Sequence, residues 1–430
     1  MKNKIQTLLI LILLQITSNL FAWSNHSLAT YIVVRDMEEI KNAKQVEVET
    51  LEDFLNKEKE GLGKLLNAEE EYLRKNLSYY PPRPDELDFA KSTEKNIVKR
   101  FLYSIRVNPN IKLGYYLQIL PGDTTSKPLY EQKKVTLLTK DDWIMRYTFT
   151  ELKKGEKALA AEIIATAADE PDYGLDLELF SDNESEFGKK YGLGEQPFGN
   201  PEIEYATQAP VHIGYYHEAG IVFLLAGFLK KTLPEYRLRE FLMLSNYAFK
   251  TGHPYWGYRF LGWGLHYVED LTQPYHASVL PGNSAIEMIW INTLAMLGFD
   301  SLKKAAIQRI SVRHEAIENY HYAILLDSLK NHKSHIFMAS ILNTEKDNFY
   351  GEYNQAYARE MIAKESKERS DKLDYLLGNT KEILEFQRDA NFDIQKIPDN
   401  TATKELNVLI EKMMVSLGAH SRNFIRAALK

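Results

Sequence analysis

The chain has 430 residues, 44% of them apolar and 12% aromatic, enough to bury one large or two moderate cores and too apolar for extensive disorder. A formal charge of −6 argues against a broad nucleic-acid-binding surface, although a local basic patch or a bound metal ion can still hold phosphate. The absence of cysteine excludes thiol catalysis and zinc–thiolate centres.

The first 22 residues, MKNKIQTLLILILLQITSNLFA, place Lys2 and Lys4 before an apolar run and end on a small residue. They read as a secretory signal peptide cut before Trp23, so the mature chain, 23–430, is expected to be exported, secreted or periplasmic, and to carry a charge of −8 once the two lysines are gone. From Tyr31 to about Leu73 apolar and charged residues alternate at helical spacing, and SYYPPRPDE from Ser78 breaks the pattern. Asp85 to Lys154 contains LGYYLQILPGD and the β-prone KVTLLTK, which predicts a small irregular or stranded insertion. A helix over Glu156 to Ala168 follows and delivers Asp169, while Asp172 to Thr207, rich in Gly, Asp, Glu, Asn and Pro, predicts a long ordered loop or lid.

Helices are expected at Val211 to Leu229, with AGIVFLLAGFL buried, at Leu233 to Thr251 and at Tyr255 to Asp270. Further helical patterns run from Ser284 to Leu297, Leu302 to Leu326, Ser334 to Leu342, Tyr353 to Leu384 with a break near Ser366, and Glu405 to Leu429. No repeat emerges and long strands are scarce, so the expectation is an all-α, multi-helix single domain.

The segment LHYVEDLTQPYH brings three metal-binding side chains together. His266 and Asp270 fall one turn apart on a helix, and Pro274 ends that helix so that His276 can fold back toward them. A lone His–Asp pair is more often structural, but the same offset recurs in RHEAIEN with His314 and Glu318. Three imidazoles and two carboxylates are the donor mixture suited to zinc bound through nitrogen and oxygen. Upstream, Asp169 stands at a helix end before Pro171, with Asp172 and Asp176 as rivals. His212 and His217 lie five residues apart, about 500° of helical turn, and so occupy different faces. Cleavage before Trp23 would also expose an α-amine beside His26, and that amine with its own carbonyl can chelate a metal ion.

In order, Trp23, His26, Asp169, His212, His266-x3-Asp270, His276 and His314-x3-Glu318 resemble the zinc-dependent phospholipase C and S1-P1 nuclease superfamily. The AAD context of Asp169 and the LHYxxDxxQPxH context are the most specific matches. The resemblance implies a phospholipase C/P1 nuclease-like domain with three zinc ions per chain. Asp169, His212, His266 and Asp270 would hold one, His276, His314 and Glu318 a second, and Trp23, His26 and Asp270 the third. Residues 63–150 look like added material and 172–207 is longer than in compact members, while His26 follows Trp23 more tightly than is usual there.

The chemistry this implies is phosphodiester hydrolysis by hydroxide drawn from a metal-held water, with Asp169 as ligand and proton acceptor. Glu170, Tyr173 and His217 are candidates for contacting substrate. Glu318 in place of the Asp usual in the nuclease branch, together with the acidic charge, favours a phospholipid headgroup ester and transient membrane contact. Single-stranded nucleic acid is the substrate under the alternative reading, and an inactive zinc-containing envelope or lipid-binding protein is the non-enzymatic one. A monomer is expected.

Overall fold

The computed structural model describes residues 26–139 and 143–430. The leader and Trp23 lie outside the described residues. The architecture is predominantly helical with two small sheets, in agreement with the all-α expectation. The site-bearing framework begins with α1 (His26–Arg35), β1 (Val46–Glu47), α2 (Lys59–Asn76), β2 (Tyr116–Ile119), β3 (Leu129–Tyr130), β4 (Thr148–Glu151), β5 (Lys157–Ala158) and α3 (Ala160–Ala168). It continues with α4 (Pro234–Lys250), α5 (Pro254–Thr272), α6 (Ala285–Met296), α7 (Ser301–Lys330), α8 (Lys364–Gly378) and α9 (Thr401–Ala428).

At the centre lies α5, in which every residue from Tyr255 to Thr272 is buried. A helix buried on all sides has no solvent face to orient it, so its neighbours fix it through packing and polar contacts. Two glycines set how close those neighbours come. A Cβ on Gly262 would stand 2.5 Å from the Ile164 carbonyl oxygen and 2.6 Å from Ala167 Cβ, both in α3. One on Gly264 would meet the Phe424 ring of α9 at 2.6 Å. On the α4 side, Phe241 packs edge-on to Trp263 with ring centroids 5.3 Å apart.

The predicted stretch Tyr31 to Leu73 is not one helix. It divides into α1, two short helices at Glu38–Lys41 and Leu51–Lys57, and α2, with β1 between them. β1 pairs antiparallel with β5, an interaction between distant segments that local periodicity cannot show. LGYYLQILPGD does supply a strand, β2, paired with β4 in a sheet of order β2-β4-β3. KVTLLTK does not: over its described residues it turns after a 3₁₀ segment at Gln132–Lys134 instead of pairing.

Residues 63–150 are no appended body, because Leu66, Phe89, Phe101, Tyr116 and Phe149 enter the same core as Leu265 and Leu417. In segment 172–207, Leu175, Leu179, Phe180 and Tyr191 are buried in that core.

Val211 to Leu229 contains only Ala209–His212, Gly220–Leu225 and a 3₁₀ turn at Gly227–Lys230. The expected buried helix is also wrong in its environment, since Leu224 is 77% exposed. Nor does the chain break near Ser366. A π-turn at Ala358–Ala363 leads without interruption into α8, which ends at Gly378, and a separate helix at Lys381–Arg388 follows. Among the described residues no helix is long and apolar enough to cross a membrane.

Gly262→Val tests the close approach of α3 and α5. Its side chain would press on backbone as well as on Ala167, and a loss of about 1–3 kcal/mol in urea unfolding is expected for such overpacking. Unchanged stability would show that the two helices can separate freely.

Candidate metal centre

Six elements converge on one buried volume. His266 and Asp270 lie one turn apart on α5. Gln273, held extended (φ −81°, ψ 118°) ahead of Pro274, then turns the chain, and the short helix Pro274–Ala277 returns His276 toward Asp270. α7 contributes His314 and Glu318, α1 contributes His26 from its first described turn, and His212 closes the short helix Ala209–His212. The 3₁₀ turn Glu170–Tyr173 after α3 contributes Asp172.

These side chains form three groups able to hold a metal ion: His26, His266 and Asp270; Asp172, His212 and His266; and His276, His314 and Glu318. Within each, the donor atoms lie within 4.8 Å of one another and all are buried. Asp270 ties the groups together. Its Oδ1 is 3.6 Å from His26 Nε2 and 3.3 Å from His276 Nδ1, while its Oδ2 is 3.0 Å from His212 Nδ1 and 3.3 Å from His266 Nε2.

The donor set fits metal ions. His26 Nε2, both oxygens of Asp270, both ring nitrogens of His314 and Glu318 Oε2 are buried without a hydrogen bond of sound geometry. A buried polar atom left in that condition costs on the order of 1–3 kcal/mol, more when charged, so an arrangement that collects several in one place calls for a ligand. Among the described residues no lysine or arginine ion pair reaches Asp172, Asp270, Glu269 or Glu318. Burial accordingly pushes the carboxyls of Asp172, Glu269 and Glu318 up, whereas in Asp270 the facing His266 and His276 overcome the burial effect and hold it well below the usual range.

Carboxylates and carbonyls behind the imidazoles set which ring nitrogen faces inward. His266 Nδ1–H donates to the Ala168 carbonyl at 2.8 Å, which leaves Nε2 for the centre. His26 Nδ1 faces Glu269 Oε2 at 2.9 Å, and Thr30 Oγ1 donates to the other oxygen of Glu269 at 2.6 Å. His212 Nε2 faces Asp176 Oδ2 at 3.3 Å. Burial opposes a charge on His212, but Asp176 and Asp270 outweigh it and push the imidazole up to about 10. Asp176 is in turn anchored by Arg237 Nε and Nη2 at 2.9 and 2.7 Å and by the Tyr267 hydroxyl. Burial would raise Asp176, yet the Arg237 charge brings it down to about 2. Such partners orient a ligating imidazole and raise its basicity.

Of the expected metal ligands, His26, His212, His266, Asp270, His276, His314 and Glu318 come together, and Asp172 stands where Asp169 was expected. Asp172 Oδ1 is 3.8 Å from both His212 Nδ1 and His266 Nε2. Asp169 keeps an α-helical backbone at the end of α3, so its carboxylate meets α1 instead. There it accepts the Ser27 N–H at 2.9 Å and lies 3.4 Å from the Tyr173 hydroxyl. Burial pushes Asp169 up to about 6, against the pull of the Ser27 hydrogen bonds.

The candidate substrate contacts sit elsewhere. Glu170 is buried in a bidentate ion pair with Arg259 at 2.6 and 2.9 Å and also accepts from Tyr116 and Trp263. Tyr173 packs behind Asp169. His217 Nε2 is bonded to the Arg359 carbonyl at 2.7 Å. Sequence reasoning missed Glu269, Arg237 and Gln273. Glu269 was detectable in principle, as a second carboxylate beside Asp270 on the helix that carries His266, whereas Arg237 and Gln273 carry no comparable local mark.

No family model, curated protein or solved structure matches this chain, so the metal-site reading stands on its geometry.

Two variants separate the carboxylates. Asp172→Asn should lower the divalent metal content of purified protein, whereas Asp169→Asn should leave it intact and lower the melting temperature by loosening the start of α1. Glu269→Gln should weaken metal binding by about 10–100-fold in competition with a chelator, because His26 loses its orienting partner. An unaltered affinity would mean that Glu269 merely fills space.

Proposed function

We propose that this chain is an exported, zinc-dependent phosphodiester hydrolase of the phospholipase C/P1 nuclease-like kind, acting on a phospholipid headgroup ester. The observation that carries this reading is the linkage of three buried donor groups through one carboxylate, Asp270, with unsatisfied donor atoms turned toward their centre. His212, His266, Asp270 and Asp172 would hold one zinc ion, and His276, His314 and Glu318 a second. His26 and Asp270, completed by the amine and carbonyl of Trp23, would hold the third. Zinc supplies Lewis acidity toward a phosphoryl oxygen and lowers the pKa of water toward neutrality.

The chain's own residues supply orientation and proton handling. Asp172, with 12% of its side chain exposed, is the most accessible carboxylate of the three groups. It is therefore placed to take up a proton at the edge of the centre. Asp169, the expected proton acceptor, acts here through position by fastening α1, and with it His26, to the end of α3. Arg237 and Asp176 hold His212 from behind, and Gln273 Nε2–H donates to Glu318 Oε1 at 3.3 Å. Glu318 and the acidic overall charge favour phospholipid over nucleic acid.

The test uses mature protein beginning at Trp23. Zinc is counted by elemental analysis, and release of phosphorylated headgroup from phosphatidylcholine micelles is compared with cleavage of single-stranded nucleic acid. Close to three zinc ions and headgroup release are expected. The double variant His314→Ala, Glu318→Ala should lose about one ion and at least ~100-fold in rate. Preferential nucleic-acid cleavage would transfer the assignment to the nuclease reading, and a fully loaded protein inert on both would overturn the hydrolase.

A further inference from the structure

The ligand-bearing turns send out two apolar excursions. One runs from Ala219 to Leu233, shortly after His212, and includes the short helix Gly220–Leu225. The other follows His276, comprises α6 and the turn Leu297 to Leu302, and leads directly into α7, which carries His314 and Glu318. Their inner faces pack together through Val222, Ala226 and Met288 over Phe198, Ile213 and Tyr215. The same two excursions leave Leu224 77%, Ile286 79%, Trp290 60% and Phe299 66% exposed, and Leu297 and Leu302 are exposed as well. So many large exposed apolar residues on two segments that pack together are unusual for a surface that meets only water.

The roots of both excursions are clamped beside the metal centre. Glu218 Oε1 accepts the Val279 N–H at 2.8 Å and the Lys367 ammonium at 2.9 Å, and that ammonium also donates to Ser278 Oγ at 2.7 Å. The exposed face is thereby held in a fixed relation to His276 through the Ala277–Ser278 turn.

Its charge sets it apart from the rest of the molecule. Across 219–233 and 285–304 Lys303 is buried, and the ionisable residues at the surface are Lys230, Lys231 and Lys304 against Glu287 and Asp300, a balance of +1 in a chain of −6 in which Lys304 pairs with Asp300. In 219–233 there is no acidic residue at all. Apolar tips that include a tryptophan, beside a lysine pair, are the combination that enters the headgroup region of an anionic bilayer: the side chains gain from burial and the ammonium groups remain among phosphates.

We propose that the outer faces of Gly220–Leu225 and α6, with the Leu297–Leu302 turn and the Lys230–Lys231 pair, form a docking surface for an anionic lipid bilayer. The proposal rests on the lipid reading of the metal centre for what the docked surface would supply as substrate, while the docking itself is measurable without turnover.

The experiment is co-sedimentation of metal-loaded full-length mature protein with sucrose-filled vesicles of phosphatidylcholine alone or mixed with phosphatidylglycerol. Wild-type protein is expected to bind the mixed vesicles, and Leu224→Asp with Trp290→Asp to weaken binding at least about tenfold, as loss of two buried apolar side chains requires. Lys230→Gln with Lys231→Gln should abolish the preference for phosphatidylglycerol. Zinc content and hydrolysis of a soluble short-chain phosphodiester should be unchanged in both variants, which separates docking from the site. Absence of vesicle binding, or binding that the apolar variant retains, overturns the proposal whatever the hydrolysis assay shows. A wild-type dimer in analytical ultracentrifugation that the apolar variant dissolves assigns the face to a second copy and overturns it too. Loss of binding in the variant together with inertness toward every phosphodiester upholds the docking surface and removes only the hydrolase.

Discussion

A helix buried on every side has nowhere to put a charge except against other charges. α5 carries His266, Glu269 and Asp270 into such surroundings, and much of the nearby structure answers them. Burial alone would drive the carboxylates toward neutrality. Asp270 instead remains ionised because imidazoles from separate elements surround it, while Glu269 is met by His26 and Thr30 of α1. Gly262 and Gly264 matter for the same reason, since they let α3 and α9 approach closely enough to exclude water from these groups. A protein interior assembled in this way is polar where it is tightest. It pays a folding cost for the donor set, which bound cations would return as stability.

Periodicity made α4, α5, α7 and α9 legible in the sequence to within a few residues at each end, because long amphipathic or wholly apolar runs leave little choice of conformation. The offsets of His266 to Asp270 and of His314 to Glu318 were legible for the same reason: on a helix, spacing is geometry. Pro274 added the turn that returns His276. Beyond regular helix that reasoning weakens. Asp169 and Asp172 lie three positions apart across the junction of α3 with a 3₁₀ turn, and which one faces His212 depends on where α3 stops and how its end meets Ser27. The strand pairing of β1 with β5 and the splitting of the first helical stretch arise from contacts more than 100 residues apart. AGIVFLL shows a different limit. Composition reports that a segment is apolar, but whether it lies inside or at a surface is decided by what the fold brings to cover it.

The support behind the candidate metal ligands is as extended as the candidates themselves. From His212 the chain of contacts runs to Asp176, then to Arg237, and from Arg237 to Glu240 and to the carbonyls of Ile105 and Arg106. The guanidinium thus fastens α4 to the turn after Ser104 and to the loop carrying Asp176. A second chain runs from Glu170 to Arg259, Trp263 and Tyr116, and holds the turn that presents Asp172 against α5 and β2. The segment 63–150, which looked like additional material, supplies anchoring points to both.

The inward-facing side chains are contributed from His26 to Glu318, by segments scattered over most of the chain. During synthesis, the amino-terminal member therefore waits for partners that emerge nearly three hundred residues later, and no shorter fragment contains the complete set. Pairings so distant in sequence form late in folding, after the local helices have appeared. Whatever the centre binds, it can hold with all three groups only after Glu318, about three-quarters of the way along the chain, has been made.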